Sequence, residues 1–217
     1  MLTFAIGDTH GCFDKLTELL DQCHRFASGR PSRFIFLGDY IDRGPDSRGV
    51  IQTVLDLQTA DPGHVIALAG NHEDLFCQTD TSAGMGRWIA NGGGAMLRSY
   101  GVTARTGLPP AHIDFLRNRP TSFDDGQRLF VHAGVRPGIP LKEQTRDDLL
   151  WIREPFLSSN ADHGRLIVHG HTPLKSGEPD VRSNRINLDT GAVFGRALTA
   201  AVFTADALPP INFIQAR

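Results

Sequence analysis

Three apolar runs, each stopped by a glycine-flanked polar cluster, constrain this chain more than any other feature. "LTFAI" (2–6) runs into "GDTHG" (7–11), "RFIFL" (33–37) into "GDYIDRG" (38–44), and "HVIALAG" (64–70) into "NHE" (71–73). Short apolar runs bounded by Gly read as buried strands. Between the first two lies "CFDKLTELLDQCHRF", in which Phe13, Leu16, Leu19, Leu20 and Cys23 share one helical face. Between the second and third lies "SRGVIQTVLDLQ" (47–58). Val50, Ile51, Val54 and Leu55 repeat the helical spacing there, behind a Pro at 45 that suits a helix start. Strand–helix–strand–helix–strand is the pattern of a parallel sheet with crossover helices.

That alternation stops in the middle of the chain. Residues 80–110 hold Gly84, Gly86, Gly92, Gly93, Gly94, Gly101 and Gly107. Short helices are expected around 71–78, 84–99 and 110–118. From 121 onward strands dominate: "TSFDD", "RLFVHAG", "RLIVHGH", "RINLDTGA", "ALTAAVFT" and "PINFI". They read as a second, mostly antiparallel sheet. Two sheets packed face to face, with helices outside, would close one domain over residues 1–217.

Composition removes several classes of function. Lys+Arg number 22 against 24 Asp+Glu, with no basic block, so nothing draws the chain to nucleic acid or to an anionic membrane. No window approaches the ~20 apolar residues of a membrane span. The N-terminus has no basic region followed by a long apolar run, so no signal peptide is expected. Cys12, Cys23 and Cys77 are odd in number and form no Cys-x-x-Cys, which points to reduced thiols and a cytoplasmic protein.

Parallel sheets bind ligands outside the carboxyl ends of their strands. The three opening clusters sit there, and "HAG" (132–134) and "HGHT" (169–172) end two later strands. Together they offer Asp, His, Asp, Asn, His and His. This is a nitrogen and oxygen donor set without thiolate, suited to manganese, iron or zinc. In "DTH" the donors lie two residues apart, and in an extended strand end i and i+2 point the same way, so Asp8 and His10 could grip one ion. Asp39 has two carboxylate oxygens and could bridge two ions. Asn71 could give a neutral oxygen to the second, with His132 and His171 completing its shell. Each piece alone has a plainer reading. "GNHE" could cap a helix, and Arg43 could be a surface residue. Five clusters in order, each at a strand end, are harder to explain that way.

The ordered set GDTHG, GDYIDRG, GNHE, HAG and HGHT resembles the PPP-type protein phosphatases among the calcineurin-like metallophosphoesterases, closest in kind to compact bacterial and phage members. "WIANGGG" (88–94), "LLWIREPF" (149–156) and "INLDTGAVFGRALT" (186–199) extend the resemblance over roughly 2–203. It implies an α/β fold, with a central β-sandwich of two mixed sheets flanked by helices. It implies two divalent metal ions, manganese first, with iron or zinc as alternatives. Asp8, His10 and a bridging Asp39 would hold one ion; Asp39, Asn71, His132 and His171 would hold the other. A hydroxide between the ions would attack phosphorus directly. Arg43 and Arg153 would clamp phosphate. His72 would protonate the leaving oxygen, with Asp42 orienting it and keeping it charged.

The substrate implied is a phosphorylated protein or peptide, dephosphorylated at Ser or Thr. A symmetrical diadenosine-tetraphosphate hydrolase is the alternative enzyme, although such relatives typically lack the second Asp of GDYIDRG and carry Asp after "NH". A catalytically inactive scaffold is the alternative from another class. His169 is read as supporting a ligand or the core. Trp88 and Asn91 are read as a substrate rim or as packing, and Asp189 as a structural turn near the site. His24, His64, His112 and His163 are expected to be surface or satisfied core residues.

Overall fold

The computed structural model describes residues 1–217. Strands β1 (Leu2–Ile6), β2 (Ser32–Phe36) and β3 (Val65–Ala67) pair in parallel, with Phe4 opposite Phe34 and Phe34 opposite Val65. Helix α1 (Phe13–Ala27) makes the first crossover and buries Leu16, Leu19, Leu20 and Cys23, with Phe13 half-buried at its start. Helix α2 (Ser47–Ala60) makes the second and buries Val50, Ile51 and Val54. Asp46 caps it by accepting the Gly49 amide at 2.8 Å, a bond worth about 1 kcal/mol.

The helices α3 (Asn71–Cys77), α4 (Ser82–Trp88), α5 (Gly94–Ser99) and α6 (Pro110–Arg117) fill the middle of the chain. The single helix expected over 84–99 is broken. Residues Ile89–Gly93 form a wide turn in which Gly92 takes φ 109°, a conformation that favours glycine.

The second sheet departs from expectation. It orders as β4 (Ser122–Asp124), β5 (Arg128–Val131), β6 (Leu166–His169), β8 (Arg185–Asn187) and β7 (Asp180–Val181). Its three inner strands run parallel, and only its edges are antiparallel. The links over 132–165 and 170–184 are long enough for parallel crossovers, and the first carries helix α7 (Arg146–Trp151). The last two strands, β9 (Leu198–Thr204) and β10 (Ala207–Ala216), do not join this sheet. They form a hairpin on the first sheet, with β9 antiparallel to β1. A continuous apolar run such as "LTAAVF" says that a strand is buried on both faces, not which sheet buries it. Both sheets are therefore mixed: the first has its three parallel strands on one side of the hairpin, with β3 at the edge, and the second has its three at the centre.

Side-chain alternation makes three apolar layers. Ala5, Ile35, Ala201 and Phe203 of the first sheet meet Phe130, Val168 and Ile186 of the second. On the outer face of the first sheet, Phe4, Ile6, Phe34 and Phe36 pack on the helices through Leu16, Leu19, Val50 and Val54. Leu129, Val131 and Ile167 lie under Leu149, Ile152 and Phe156. Each fully buried Leu or Ile contributes about 1.5–3 kcal/mol. The packing aligns the carboxyl ends of both parallel triplets along one edge. No helix is long and apolar enough to cross a membrane.

Candidate metal centre

The first sheet brings Asp8, Asp39 and Asn71 to that edge, and the second brings His132, His171 and Asp189. Backbone hydrogen bonds continue past the strands and hold the loops in register. His10 N donates to Asp39 O at 2.8 Å, Gly170 N to His132 O at 2.8 Å, and Leu188 N to His169 O at 2.7 Å.

The loops do not present their side chains as extended strand ends. His10, Asp39, Asp42, Arg43 and His171 take φ of 42°, 54°, 71°, 64° and 66°. The only other non-glycine residue with positive φ is Ser28, beyond the end of α1. Left-handed backbone at such residues costs about 1–3 kcal/mol each and concentrates where surroundings over-determine a site. The i, i+2 alternation expected from the sequence is thus broken at His10: Asp8 groups with Asp39 and His132, and His10 with Asp39 and His72.

Ligand atoms of Asp8, Asp39 and His132 all lie within 4.8 Å of one another, as do those of His10, Asp39 and His72. Asp39 is common to both groups. One of its oxygens lies 3.3 Å from His10 Nε2 and the other 3.4 Å from His132 Nε2. Asn71 Oδ1 lies 2.8 Å from His132 Nε2 and 2.7 Å from His171 Nδ1. All six expected ligands are therefore gathered, and all are buried.

The donor chemistry fits a cation. His132 Nδ1 donates to Leu37 O at 2.9 Å, which leaves a lone pair on Nε2 facing the Asn71 amide oxygen. Burial holds His132 below its ordinary value, which keeps that lone pair available to a cation. His171 Nε2 is buried without a partner. Burial, then the charges of Asp189 and Asp39, push Asp8 well above the usual carboxylate range. Burial also opposes ionisation of Asp39, but His132, His72 and His10 outweigh it and hold that carboxyl well below the range. A cation between these groups would relieve both the facing lone pairs and the crowded negative charge.

Beside this cluster stands a buried pair. His72 Nδ1 lies 2.7 Å from Asp42 Oδ2, and both side chains are fully enclosed. The His72 amide donates to Asp39 Oδ1 at 2.9 Å. His72 Nε2 has no partner. Burial pushes the imidazole down to about 3 and raises the Asp42 carboxyl well above its usual range. Both shifts have one cause: no solvent reaches the pair, so each charge depends on its partner and on neighbouring charges.

The profile of the calcineurin-like phosphoesterase family matches residues 1–199. The chain belongs to that family. It is 32% identical to serine/threonine-protein phosphatase 1 of Salmonella typhimurium, over 91% of this chain and 90% of that protein. It is 31% identical to an asymmetrical bis(5'-nucleosyl)-tetraphosphatase of Anoxybacillus flavithermus, over 92% and 89%. A protein serine/threonine phosphatase from Saccharomyces cerevisiae shares the fold with a TM-score of 0.66 at 15% identity, over 100% of this chain and 80% of that one.

Calcineurin-like phosphoesterases are hydrolases, and the remaining expected residues lie around the cluster with differing firmness. Arg43 is exposed, and its Nη1 lies 2.8 Å from His10 Nε2. Burial lowers and Asp39 raises the basicity of His10, with a net rise, yet the Arg43 contact needs a lone pair on Nε2. His10 Nδ1 donates to Ile41 O at 2.8 Å in that tautomer, which is also the one a metal ligand needs. Arg153 is exposed, with its charge felt at His171. His169 is fully buried against Phe156, with ring centroids 5.0 Å apart, and belongs to neither ligand group. Asp189 is buried and accepts the Gly191 amide at 3.1 Å, a turn as expected. Asn91 is exposed and bonds back to Arg87 O.

Glu73 caps α3, as "GNHE" allowed, and also does more, and Trp88 gains a partner that the sequence did not name. Glu73 accepts the amides of Gly70 and Asp39 at 2.8 Å and of Tyr40 at 2.9 Å, tying two loops together. Burial and the Asp39 charge push it up to about 8, against three donors that favour its carboxylate. The loops are so close that a Cβ on Gly70 would collide with Asp39. Trp88 is fully buried, not a rim residue, and its indole N–H lies 3.0 Å from both Asp42 oxygens. The signal was in "WIANGGG": a tryptophan followed by three glycines leaves room for a large ring with a polar edge.

Proposed function

We propose that the chain is a phosphoprotein phosphatase that hydrolyses phosphoserine and phosphothreonine with two divalent cations, manganese first. Asp8, His10 and Asp39 would hold one ion, and Asp39, Asn71, His132 and His171 the other. Such ions lower the pKa of a water toward neutrality and offset phosphate charge. Arg43 and Arg153 pair with phosphate oxygens through their planar donors. Phosphate brings negative charge next to His72 and so favours its protonated form. Asp42 holds Nδ1, and the free Nε2 gives its proton to the departing oxygen.

The His72–Asp42 pair is the observation that carries the choice of substrate. A serine or threonine alkoxide is a poor leaving group and needs that proton. A nucleotide leaving from a polyphosphate departs as an already stable anion and gains much less from an acid. The second reading, hydrolysis of dinucleoside tetraphosphates, draws on relatives named asymmetrical bis(5'-nucleosyl)-tetraphosphatases at 27–31% identity. Rates of the manganese-loaded enzyme on a phosphoserine peptide and on diadenosine tetraphosphate separate the two. The phosphatase reading expects the higher kcat/KM on the peptide; the reverse order overturns it.

A further inference from the structure

We propose that Trp88 is a positioning residue for the proton donor: its indole N–H locks the Asp42 carboxylate, which in turn aims His72 Nε2. The inference rests on the reading of His72 as an acid and goes beyond it by assigning the turn at 88–94.

Asp42, His72 and Trp88 are all fully enclosed. The indole N–H reaches both Asp42 oxygens at 3.0 Å, while Oδ2 also meets His72 Nδ1 at 2.7 Å. A carboxylate held by two buried partners cannot rotate freely without abandoning one of them, and a buried polar group left unpaired is costly. The Asp42 amide donates to Ser47 Oγ at 3.1 Å, so its left-handed backbone is tied as well. The imidazole is then oriented at Nδ1, and the direction of Nε2 follows.

The turn supplies what the indole needs. Phe76 meets the ring edge-on with centroids 5.5 Å apart. Gly93 lies flat against it, where a Cβ would run into the ring. Gly92 O accepts the Arg43 amide at 3.2 Å, and a Cβ on Gly92 would press on Arg43 Cγ. One short segment thus sets the acid pair and the neighbouring guanidinium in a common frame. Packing alone would be satisfied by any bicyclic ring of this volume; the N–H aimed at Asp42 is the part that packing does not require.

The test removes the N–H while keeping an aromatic ring at position 88. Trp88→Phe is one variant. Benzothienylalanine at position 88, with sulfur in place of N–H, is a second that preserves volume if the first folds poorly. Both are compared with wild type as manganese-loaded enzymes. The expected loss in kcat is about tenfold on a phosphoserine peptide, a fraction of what a general acid contributes. On p-nitrophenyl phosphate, whose leaving group needs no proton, kcat should hold, and manganese content should stay the same. In an Asp42→Asn background the Trp88 change should add nothing, since it acts through Asp42. In the metal-free protein, Asp42→Asn should shift the Trp88 indole proton resonance. Equal losses on both substrates, full additivity with Asp42→Asn, or an unmoved resonance would each overturn the inference. His72→Asn run alongside separates the two claims. No leaving-group dependence there removes the acid reading and this inference with it; dependence there but not in the Trp88 variants removes this inference alone.

Discussion

At the shared edge the first sheet supplies three of the four buried aspartates, together with His10 and His72, and the second supplies His132 and His171, with Asp189 alone as an acid. From the first come Asp8, Asp39 and Asp42, with four left-handed non-glycine residues, His10, Asp39, Asp42 and Arg43. From the second come His132 and His171, both neutral by burial, with His171 the single left-handed residue. Charge and backbone strain are thus concentrated on one side. That side also carries the reinforcement: Glu73 ties the Asp39 loop to Gly70, and Trp88 ties Asp42. The comparison suggests a division of labour, in which one side supplies bridging charge and the proton and the other completes the shell with neutral donors. Strain is carried where position matters most.

The largest expected difference tests that division directly. Asp39→Asn removes the one carboxylate common to both ligand groups. It should lower activity by roughly a thousandfold, the scale of several kcal/mol of metal-supplied stabilisation. His171→Asn, on the other side, should cost less, because it removes a neutral donor from one ion only. Metal content by mass spectrometry and turnover on p-nitrophenyl phosphate check both. Equal losses would break the comparison.

Next in size is His72→Asn. It should cut turnover of a phosphoserine peptide by about 10²–10⁴, the range of general acid catalysis. Turnover of an aryl phosphate should fall far less, with metal content unchanged. Near-normal rates on the alkyl ester would mean that the acid lies elsewhere.

The order and residue types of the edge were legible in the sequence because local signals carry them. Apolar runs ended by Gly-flanked polar residues located Asp8, Asp39 and Asn71 at the ends of β1, β2 and β3, and His132 and His171 after β5 and β6. Three features were not legible, for separate reasons. The left-handed turns at His10 and Asp39 are imposed by contacts such as His10 N to Asp39 O, between loops 29 residues apart by subtraction of their numbers. Nothing within "DTH" announces them. The return of β9 and β10 to the first sheet depends on which partner strand is free, which a doubly buried apolar run cannot encode. The partner of Trp88 lies in another loop, so a tryptophan on a short helix read equally well as packing.

Arginine changes should be smaller. Arg43→Ala should lower kcat/KM by roughly 10- to 100-fold, the value of one or two charge-assisted hydrogen bonds. Inhibition by inorganic phosphate should weaken in parallel. Arg153→Ala, without a hydrogen bond to the cluster, should have the lesser effect in the same assay. The reverse order would shift phosphate binding toward the second sheet.

The smallest effect lies away from the edge. His112 on α6 accepts from Tyr100 Oη at 2.5 Å through Nδ1 and donates to Gln52 Oε1 at 3.0 Å through Nε2, an arrangement of the neutral ring. Burial lowers its pKa from the ordinary 6.5. The unfolded chain then binds the proton more readily, so stability present above pH 6.5 is lost as pH falls below it. His112→Gln should flatten the fall of Tm between pH 7 and pH 5 relative to wild type. Catalytic rates at neutral pH should hold, which marks this residue as part of the scaffold.

The central claim is that Asp39 joins the two sides around a pair of ions. Electron paramagnetic resonance of the manganese-loaded protein tests it most directly. The account expects two ions per chain at saturation with the spectrum of a spin-coupled pair, and loss of that coupling in Asp39→Asn. A single uncoupled manganese, or coupling that survives Asp39→Asn, would contradict it.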